Sequence, residues 1–310
     1  MADRALGNPL GNPLAIPRSG EVRVSDVGQI VVSAEPPSRG EWLSLDGSAW
    51  DERIFTAGKV SADISTLTKL ANPAQLPAGT GRDCTFSPDG NYLAVAHFTS
   101  PFITIYKRDG DNFTKLANPA QLPAGTGLGC AFSPDGNYLA VAHDTSPFIT
   151  IYKRDGDNFT KLANPAQLPA GNGRGCAFSP DGNYLAVAHF TSPFITIYER
   201  DGDNFTKLPN PAQLPAGNGN DCAFSPDGNY LAVVYSDSPF ITIYKRNGNN
   251  FTKLESSSEL PAGNGLGCAF SPGGGYLSVA HSNSPFITIY NGKRQNIAVA
   301  APNKARVRVG

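Results

Sequence analysis

The sequence predicts an all-β fold, a five-bladed β-propeller closed by an N-terminal strand, with a small β-rich anchor segment before it. Three observations predict this fold: a 46-residue repeat, short β-rich segments within each repeat, and one repeat strand that stands at the start of the array instead of its end. Gly (33 residues) and Pro (26 residues) are abundant, which favours tight turns over helices.

The repeat is defined by the segment FSPDG, which begins at Phe86, Phe132, Phe178 and Phe224 and returns as FSPGG at Phe270, each time 46 residues further on. Each copy contains strand-like segments of the form CAFS, YLAVAH, FITIY and FTKL, and turn signals such as SPDGN and RDGD separate them. In YLAVA and FITIY both alternating faces are apolar, so neighbouring sheets are expected to cover each sheet on both sides. Radial stacking of four-stranded sheets is a β-propeller.

The array begins with its last strand and ends without one. A lone copy of the fourth segment, Leu67 to Leu70, precedes the first complete repeat, and the last copy stops at Tyr290. If this strand completes the last blade, residues 63–290 close at five blades and leave no sheet edge unpaired. Residues 1–62 then form an N-terminal arm and anchor, and residues 291–310 form a basic C-terminal tail.

The unit FSPDGNYLAVAH…ITIYKRDG resembles the WD-repeat-like, YVTN-type propeller repeats of bacterial and bacteriophage proteins over residues 63–290. It lacks the Gly-His pair and the Trp-Asp dipeptide of true WD repeats, so the hydrogen-bonded tetrad of that family is not expected.

The segment EPPSRGEWLSLDGSAW resembles the tail-collar motif of bacteriophage fibre proteins. It departs from the motif at Glu41 and Leu45, and the matching positions are Pro37, Gly40, Trp42, Leu43, Asp46 and Gly47. The resemblance implies an anchor that comprises Trp42, Leu43, Asp46, Gly47 and Trp50. The alternative is a small hairpin that packs Trp42 on the propeller.

Differences between the blades predict a ligand-binding surface. The variable positions before the first strand are Arg82, Leu128, Arg174, Asn220 and Leu266. Those after the second strand are Phe98, Asp144, Phe190, Ser236 and Ser282. Both loops lie at the same end of an up-and-down blade, and loops on a rigid scaffold often carry binding residues. The alternative is drift after duplication.

Four histidines end the second strands beside these loops: His97, His143, His189 and His281. They are included in the predicted ligand-binding surface, and a structural role is the alternative. Tyr235 takes the place of the histidine in the fourth blade.

The repeats predict no catalytic residue, no metal site and no cofactor. One cysteine and at most one histidine per blade are too few ligands for metal sites, and the RDGDN turns lack the length and terminal Glu of a calcium loop. Near-identical blades offer little of the asymmetry that a nucleophile and a base require. A net charge of −1 gives no reason to expect nucleic acid, and no apolar stretch is long enough for membrane insertion.

Three functions from different classes remain. The sequence favours a structural or adsorption protein on the tail or capsid surface of a bacteriophage virion, as a tail fibre, spike or decoration component. Residues 1–62 and the C-terminal tail would contact other virion proteins in a homo-oligomer, and the propeller would bind a host-surface polysaccharide or a virion partner. The alternative is a free-standing bacterial propeller lectin or interaction scaffold, cytoplasmic or extracellular. A lactonase-like propeller enzyme is third, because no carboxylate stands out for it.

Overall fold

The computed structural model describes residues 68–292 and, before them, four short strands. These are β1 (Ile16–Pro17), β2 (Val22–Val24), β3 (Ile30–Val32) and β4 (Trp42–Leu43). β1 pairs with β4 and β2 pairs with β3, both antiparallel. The chain divides into two compact units, Met1–Leu70 and Ala71–Gly310, and the domain boundaries predicted at residues 62 and 290 stay predictions.

The second unit is a five-bladed β-propeller, and no helix occurs among its described residues, which confirms the predicted fold class. The first blade contains β5 (Gly81–Phe86), β6 (Tyr92–His97), β7 (Ile103–Asp109) and β8 (Asn112–Lys115). The second contains β9 (Gly127–Phe132), β10 (Tyr138–His143), β11 (Ile149–Asp155) and β12 (Asn158–Lys161). The third contains β13 (Gly173–Phe178), β14 (Tyr184–His189), β15 (Ile195–Asp201) and β16 (Asn204–Lys207). The fourth contains β17 (Gly219–Phe224), β18 (Tyr230–Tyr235), β19 (Ile241–Asn247) and β20 (Asn250–Lys253).

The fifth blade has three strands in the described part of the chain, β21 (Gly265–Phe270), β22 (Tyr276–His281) and β23 (Ile287–Asn291). Leu67, the first residue of the predicted closing strand, lies outside the described residues, and Thr68–Leu70 adopt no strand. Closure of the last blade by this segment therefore stays a prediction.

A β-bulge interrupts the first strand of every blade near its start. In the first blade Gly81 pairs with His97 and Asp83 pairs with Ala96, so Arg82 has no partner in the ladder. The same shift occurs in the other blades. The bulged residues are Arg82, Leu128, Arg174, Asn220 and Leu266. A bulge takes one residue out of the regular alternation of the strand and redirects its side chain. The variable residues that were predicted before the first strand are these bulged residues, which have no pairing partner in the ladder.

The core lies between the blades. Between the first and second blades, Ala94 and Ile105 on one sheet pack against Cys130 and Phe132 on the next. Equivalent clusters join the second blade to the third, the third to the fourth, and the fourth to the fifth. The first strands of successive blades lie side by side, because β5 contacts β9, β9 contacts β13, β13 contacts β17 and β17 contacts β21. The first strands are therefore the innermost strands of the propeller.

Leu185→Ala should lower the free energy of unfolding by about 3 kcal/mol, because Leu185 is fully buried between the second and third blades and truncation leaves a cavity. Chemical denaturation would measure the loss. Leu266→Ala is the matched control, since Leu266 is 57% exposed and its truncation should change stability by less than about 0.5 kcal/mol. Equal losses in both variants would contradict the interblade core.

Candidate active site

The two variable loops of each blade meet at one end of the propeller. The guanidinium of Arg82 lies 4.3 Å from the ring centroid of Phe98, and that of Arg174 lies 4.0 Å from the ring centroid of Phe190. Both are cation–π distances. The expected meeting of the two loops is therefore observed, and their role in ligand binding stays a prediction.

The remaining variable residues make local contacts at the same end. Asp144 Oδ1 accepts hydrogen bonds from the backbone N–H of Thr126 at 2.9 Å and from the hydroxyl of Thr145 at 3.1 Å. Asn220 donates from Nδ2 to the carbonyl oxygen of Gly265 at 2.7 Å, which links the fourth and fifth blades. Leu128 is half-buried, and Ser236 and Ser282 each donate a backbone N–H to the loop before the first strand.

The four histidines are buried and have a structural contact. The Nε2 atoms of His97, His143 and His189 each lie 2.9 Å from a threonine hydroxyl on the third strand, and that of His281 lies 3.0 Å from Thr288. Burial lowers the pKa of His143 and His189 to about 4, so both are neutral at pH 7. These side chains lie beneath the variable loops and are shielded from solvent, as the structural alternative implies.

Tyr235 replaces the histidine without loss of this contact. Its hydroxyl lies 2.9 Å from Thr242 Oγ1 and also donates to the carbonyl oxygen of Ile241 at 3.0 Å. The position therefore requires a polar group that reaches the third strand.

The predicted anchor residues are only partly described. Trp42 and Leu43 form β4, which pairs with β1, whereas Asp46, Gly47 and Trp50 lie outside the described residues. Their anchoring role stays a prediction.

A second asymmetric position lies on the innermost strands, one residue after the bulge. It is occupied in blade order by Asp83, Gly129, Gly175, Asp221 and Gly267. Asp83 accepts backbone N–H hydrogen bonds from Cys84 and from Cys130 of the next blade, both at 2.8 Å. Asp221 likewise accepts from the N–H of Cys268 in the next blade, at 3.1 Å. Each carboxylate thus bridges two blades at the centre of the propeller.

At two of the other positions, Gly129 and Gly175, glycine is required by the close approach of the inner strands. A Cβ atom on Gly175 would lie 2.5 Å from Asp221 Oδ1, and a Cβ atom on Gly129 would lie 2.7 Å from the carbonyl oxygen of Arg174. Both distances are shorter than van der Waals contact. A Cβ atom on Gly267 would lie 3.7 Å from Asp221 Oδ2, which is ordinary contact, so glycine is not required in the fifth blade.

Both inner aspartates have a pKa above the ordinary value of an aspartate. Desolvation and, to a smaller extent, the charge of Asp83 raise the pKa of Asp221 to about 6, against the lowering effect of hydrogen bonds from Cys268 and Cys222. Desolvation also raises the pKa of Asp83. A carboxylate with a pKa near neutrality is suited to accept a proton at physiological pH.

Two arginines lie on the innermost strands, close in the chain to the inner position that Asp83 and Asp221 occupy in their blades. Arg82 precedes Asp83, and Arg174 precedes Gly175, whose backbone contacts Asp221. Burial and the neighbouring charge of Arg82 lower the pKa of Arg174, and Asp144 opposes that shift. The variable end of the propeller therefore combines two arginines with central carboxylates.

The cysteines offer no reactive thiolate. None is in a disulfide, and the Sγ atoms of Cys130, Cys176 and Cys222 each lie 3.7–3.9 Å from a carbonyl oxygen of the preceding blade. Burial raises the pKa of these thiols, so they are neutral core residues. Among the described residues, no group of three or more His, Cys, Asp or Glu side chains is arranged to hold a metal ion. Within the same residues, no helix has the length and apolarity to cross a membrane.

Sequence analysis missed Asp83 and Asp221. The signal was present, because GRDC and GNDC stand where the other repeats have GLGC or GRGC. The pattern alone does not show that this position lies on the innermost strand of each blade, because that depends on how the blades pack.

The family model described as "Lactonase, 7-bladed beta-propeller" matches residues 129–219, which comprise the second and third blades up to the start of the fourth. The match covers less than a third of the 310-residue chain. No curated protein matches the chain.

Solved structures with the same fold include two lactonases. A candidate 6-phosphogluconolactonase from Bacteroides uniformis has a TM-score of 0.54 and 19% identity, over 66% of this chain and 65% of that chain. The periplasmic gluconolactonase of Pseudomonas aeruginosa has a TM-score of 0.52 and 19% identity, over 64% of each chain. The hydrazine synthase of Kuenenia stuttgartiensis has a TM-score of 0.54 and 17% identity, over 68% of this chain and 59% of that chain. The chain thus spans less than two thirds of each of these structures, and at these identities the likeness shows the β-propeller fold alone.

These findings correct the functional expectations from the sequence. The predicted bacteriophage structural or adsorption role, the virion location and the exclusion of an enzyme are wrong, because the family model and two of the matching structures are lactonases. The tail-collar resemblance has no support among the matches. The alternative of a free-standing bacterial propeller, cytoplasmic or extracellular, agrees better with them. The predicted polysaccharide partner and homo-oligomer stay predictions.

Tyr235→His should leave the free energy of unfolding within about 1 kcal/mol of the parent, because histidine meets the same threonine in the other four blades. Tyr235→Phe should cost more, since it leaves the hydroxyl of buried Thr242 without this partner. Denaturant unfolding of both variants would compare them. A histidine variant less stable than the phenylalanine variant would contradict the structural role.

Asp221→Asn should stabilise the fold at pH 8 and have little effect at pH 3. The folded pKa of about 6 exceeds the ordinary value of 3.8, so ionisation disfavours the native state and stability falls as pH rises through this interval. Removing the charge should therefore raise the unfolding free energy at pH 8 by on the order of 2 kcal/mol. Asp109→Asn is the control, because Asp109 is exposed and the fourth blade has Asn247 at that position. A gain of equal size at both pH values would refute the shifted acidity of Asp221.

Proposed function

We propose that the chain is a hydrolase that opens the cyclic ester of a sugar acid, a lactone. The single observation that carries the proposal is the central carboxylate of Asp221, whose pKa of about 6 suits a general base. The match of residues 129–219 to a lactonase family model supports the reaction class. The names of the two lactonase structures support the substrate class by analogy of fold.

The loss of stability that the inner aspartates cause at neutral pH supports a functional role for them. Three of the five blades have glycine at this position and pack without a carboxylate, so the propeller does not need one there. A carboxylate whose ionisation is disfavoured by burial lowers stability at neutral pH. Strongly perturbed pKa values are frequent among catalytic groups.

The reaction requires one water molecule and no net proton uptake before product ionisation. Asp221 accepts a proton from water as the water oxygen bonds to the lactone carbonyl carbon. The bond between that carbon and the ring oxygen then breaks, and the proton held by Asp221 passes to the ring oxygen as it becomes a hydroxyl group. The product is the open hydroxy acid. Asp83 raises the pKa of Asp221 through its charge and thereby strengthens it as a base.

The arginines at the variable end suit a substrate that carries negative charge. Arg82 and Arg174 are bulged residues whose side chains are released from the ladder, and each is stacked on a phenylalanine ring. Guanidinium groups bind carboxylates and phosphates through paired hydrogen bonds. A sugar-acid lactone with a phosphate group, and the carboxylate product of any lactone, would both be attracted to this end.

Proton release from glucono-1,5-lactone and from its 6-phosphate, measured above the spontaneous rate, would test the proposal. The parent protein should accelerate hydrolysis of at least one of them, with a rate that rises as pH passes through about 6. Asp221→Asn should lower kcat by about 10²-fold or more, because a general base supplies acceleration of that order. Asp109→Asn should leave the rate unchanged. Hydrolysis that Asp221→Asn does not impair, or no hydrolysis by the folded parent, would contradict the proposal.

A ligand-binding propeller without hydrolysis is the second candidate. The observation in its favour is the pair of stacked Arg–Phe units, in which Phe98 remains exposed and offers a flat apolar surface to a sugar ring. Calorimetric titration of the folded parent with gluconate and with 6-phosphogluconate would separate the candidates. Binding of either compound without turnover of its lactone would favour this reading over the enzyme.

A further inference from the structure

The chain contains five Asn-Gly pairs, a sequence that is chemically unstable wherever its backbone is free to move. Glycine has no side chain to hinder its backbone nitrogen, so this nitrogen can attack the side-chain amide of the preceding asparagine. Because the attack needs a free and mobile glycine N–H, the structure around each pair decides which of them reacts. The pairs begin at Asn172, Asn218, Asn247, Asn264 and Asn291.

Three of the pairs lie at the start of first strands, where the backbone is held on all sides. Gly173, Gly219 and Gly265 are buried and pair with the second strand of their blade. A Cβ atom on Gly173 would clash with the carbonyl oxygen of Phe148 in the preceding blade. The carbonyl oxygen of each asparagine also accepts an N–H from the other variable loop, at 3.1–3.2 Å. These three pairs have no room for a new ring.

The pair at the end of the fifth blade is protected by a hydrogen bond. Asn291 is the last residue of β23 and pairs with Tyr276. The N–H of Gly292 donates to the carbonyl oxygen of Gly275 at 2.9 Å. This bond must break before the nitrogen of Gly292 is free to attack.

The remaining pair, Asn247-Gly248, lies at the tip of the hairpin in the fourth blade. Asn247 pairs with Asn250, so Gly248 and Asn249 form a two-residue turn. Of these two residues only Gly248 has a positive φ, +56°, as in a type II′ turn. No described residue accepts a hydrogen bond from the Gly248 N–H. Asn247 and Gly248 are exposed, and the place of a Cβ atom on Gly248 has no neighbour within 4 Å.

We propose that Asn247 is a site of spontaneous deamidation, and that it is the most reactive Asn-Gly site of the folded chain. The backbone nitrogen of Gly248 bonds to Cγ of Asn247, and its proton passes to the side-chain nitrogen. The bond between Cγ and that nitrogen breaks, ammonia leaves, and a five-membered succinimide ring remains. Water then opens the ring at either of its carbonyl carbons. The product is aspartate when the new bond breaks, and isoaspartate when the original peptide bond breaks.

The two products differ in their effect on the turn. Aspartate at position 247 gives the Asp-Gly turn that the first three blades have at Asp109, Asp155 and Asp201. Isoaspartate adds one carbon atom to the main chain of a two-residue turn and so changes the register of the hairpin.

The isoaspartate product should also weaken a contact between blades. Asn249, in the same turn, accepts a hydrogen bond at Oδ1 from the hydroxyl of Tyr184 at 2.5 Å. It donates from Nδ2 to Glu199 of the third blade at 2.9 Å. A longer main chain before Asn249 displaces it from both partners.

Incubation of the folded full-length protein at mildly alkaline pH, followed by peptide mapping with mass spectrometry, would test the proposal. The mass gain that replacement of –NH2 by –OH causes should appear first in the peptide that contains Asn247. Its rate should exceed that at Asn172, Asn218 or Asn264 by at least about 10-fold, the factor that corresponds to a local opening free energy of about 1.4 kcal/mol. The same incubation in denaturant should bring the rates at these sites together.

Two variants provide a loss and a gain of the reactive pair. Asn247→Asp removes the amide and keeps a turn sequence that other blades use, so this peptide should show no mass gain. Asp109→Asn places the pair in the equivalent turn of the first blade, where Gly110 has a φ of +55° and likewise no neighbour within 4 Å of a Cβ atom. That variant should deamidate at residue 109 about as fast as the parent does at residue 247.

The rates in the folded protein decide the outcome. An Asn247 that stays intact in the folded protein while it reacts in the denatured chain would overturn the proposal. Reaction at Asn172, Asn218 or Asn264 as fast as at Asn247 would do the same, because the structure would then offer no protection. The modification requires only water, so its rate is independent of whether the protein hydrolyses lactones.

Discussion

Every blade of this propeller has two apolar faces, and the need to bury both is the constraint on which the rest of the structure depends. A sheet with one polar face can end against solvent, but a sheet that carries Ala, Val, Leu and Ile on both faces requires a neighbour on each side. The repeat supplies that neighbour by presenting complementary faces 46 residues apart. Hydrophobic burial between the sheets is therefore the main stabilising contribution, and the first and last blades are the places where it is incomplete.

Polar groups within this apolar stack are used at defined points. A histidine Nε2 atom or the tyrosine hydroxyl at the end of the second strand bonds a threonine of the third strand, which pairs these buried polar atoms across the sheet. Tyrosine, arginine, aspartate and lysine side chains near the opposite hairpins join successive blades, as in the contacts of Tyr92 and Lys107 with Asp157. These exposed ion pairs contribute little energy individually, and they align blades that the apolar contacts hold together.

The candidate active site arises where the repetition is broken. Asp83 and Asp221 occupy a position at which three blades keep glycine, and their ionisation is opposed by the surrounding protein. Identical blades would place five equal groups around the centre, whereas these two substitutions create an unequal set. Loss of symmetry at the centre, with adjacent arginines on the bulges, is what allows distinct chemical roles in a fold built by duplication.

The sequence by itself determined the blade number, the strand segments and the meeting of the variable loops. The period, the turn chemistry and the alternation of apolar residues are local properties, and they recur in all five repeats. For the histidines the sequence predicted a place in the ligand-binding surface and left a structural role as the alternative. It did not reveal the bulge at Arg82, since a bulge depends on the register between two strands. Only the tertiary structure decided that Asp83 and Asp221, which are 138 residues apart in the sequence numbering, both lie on innermost strands, and their raised pKa values depend on the burial that the packed blades impose.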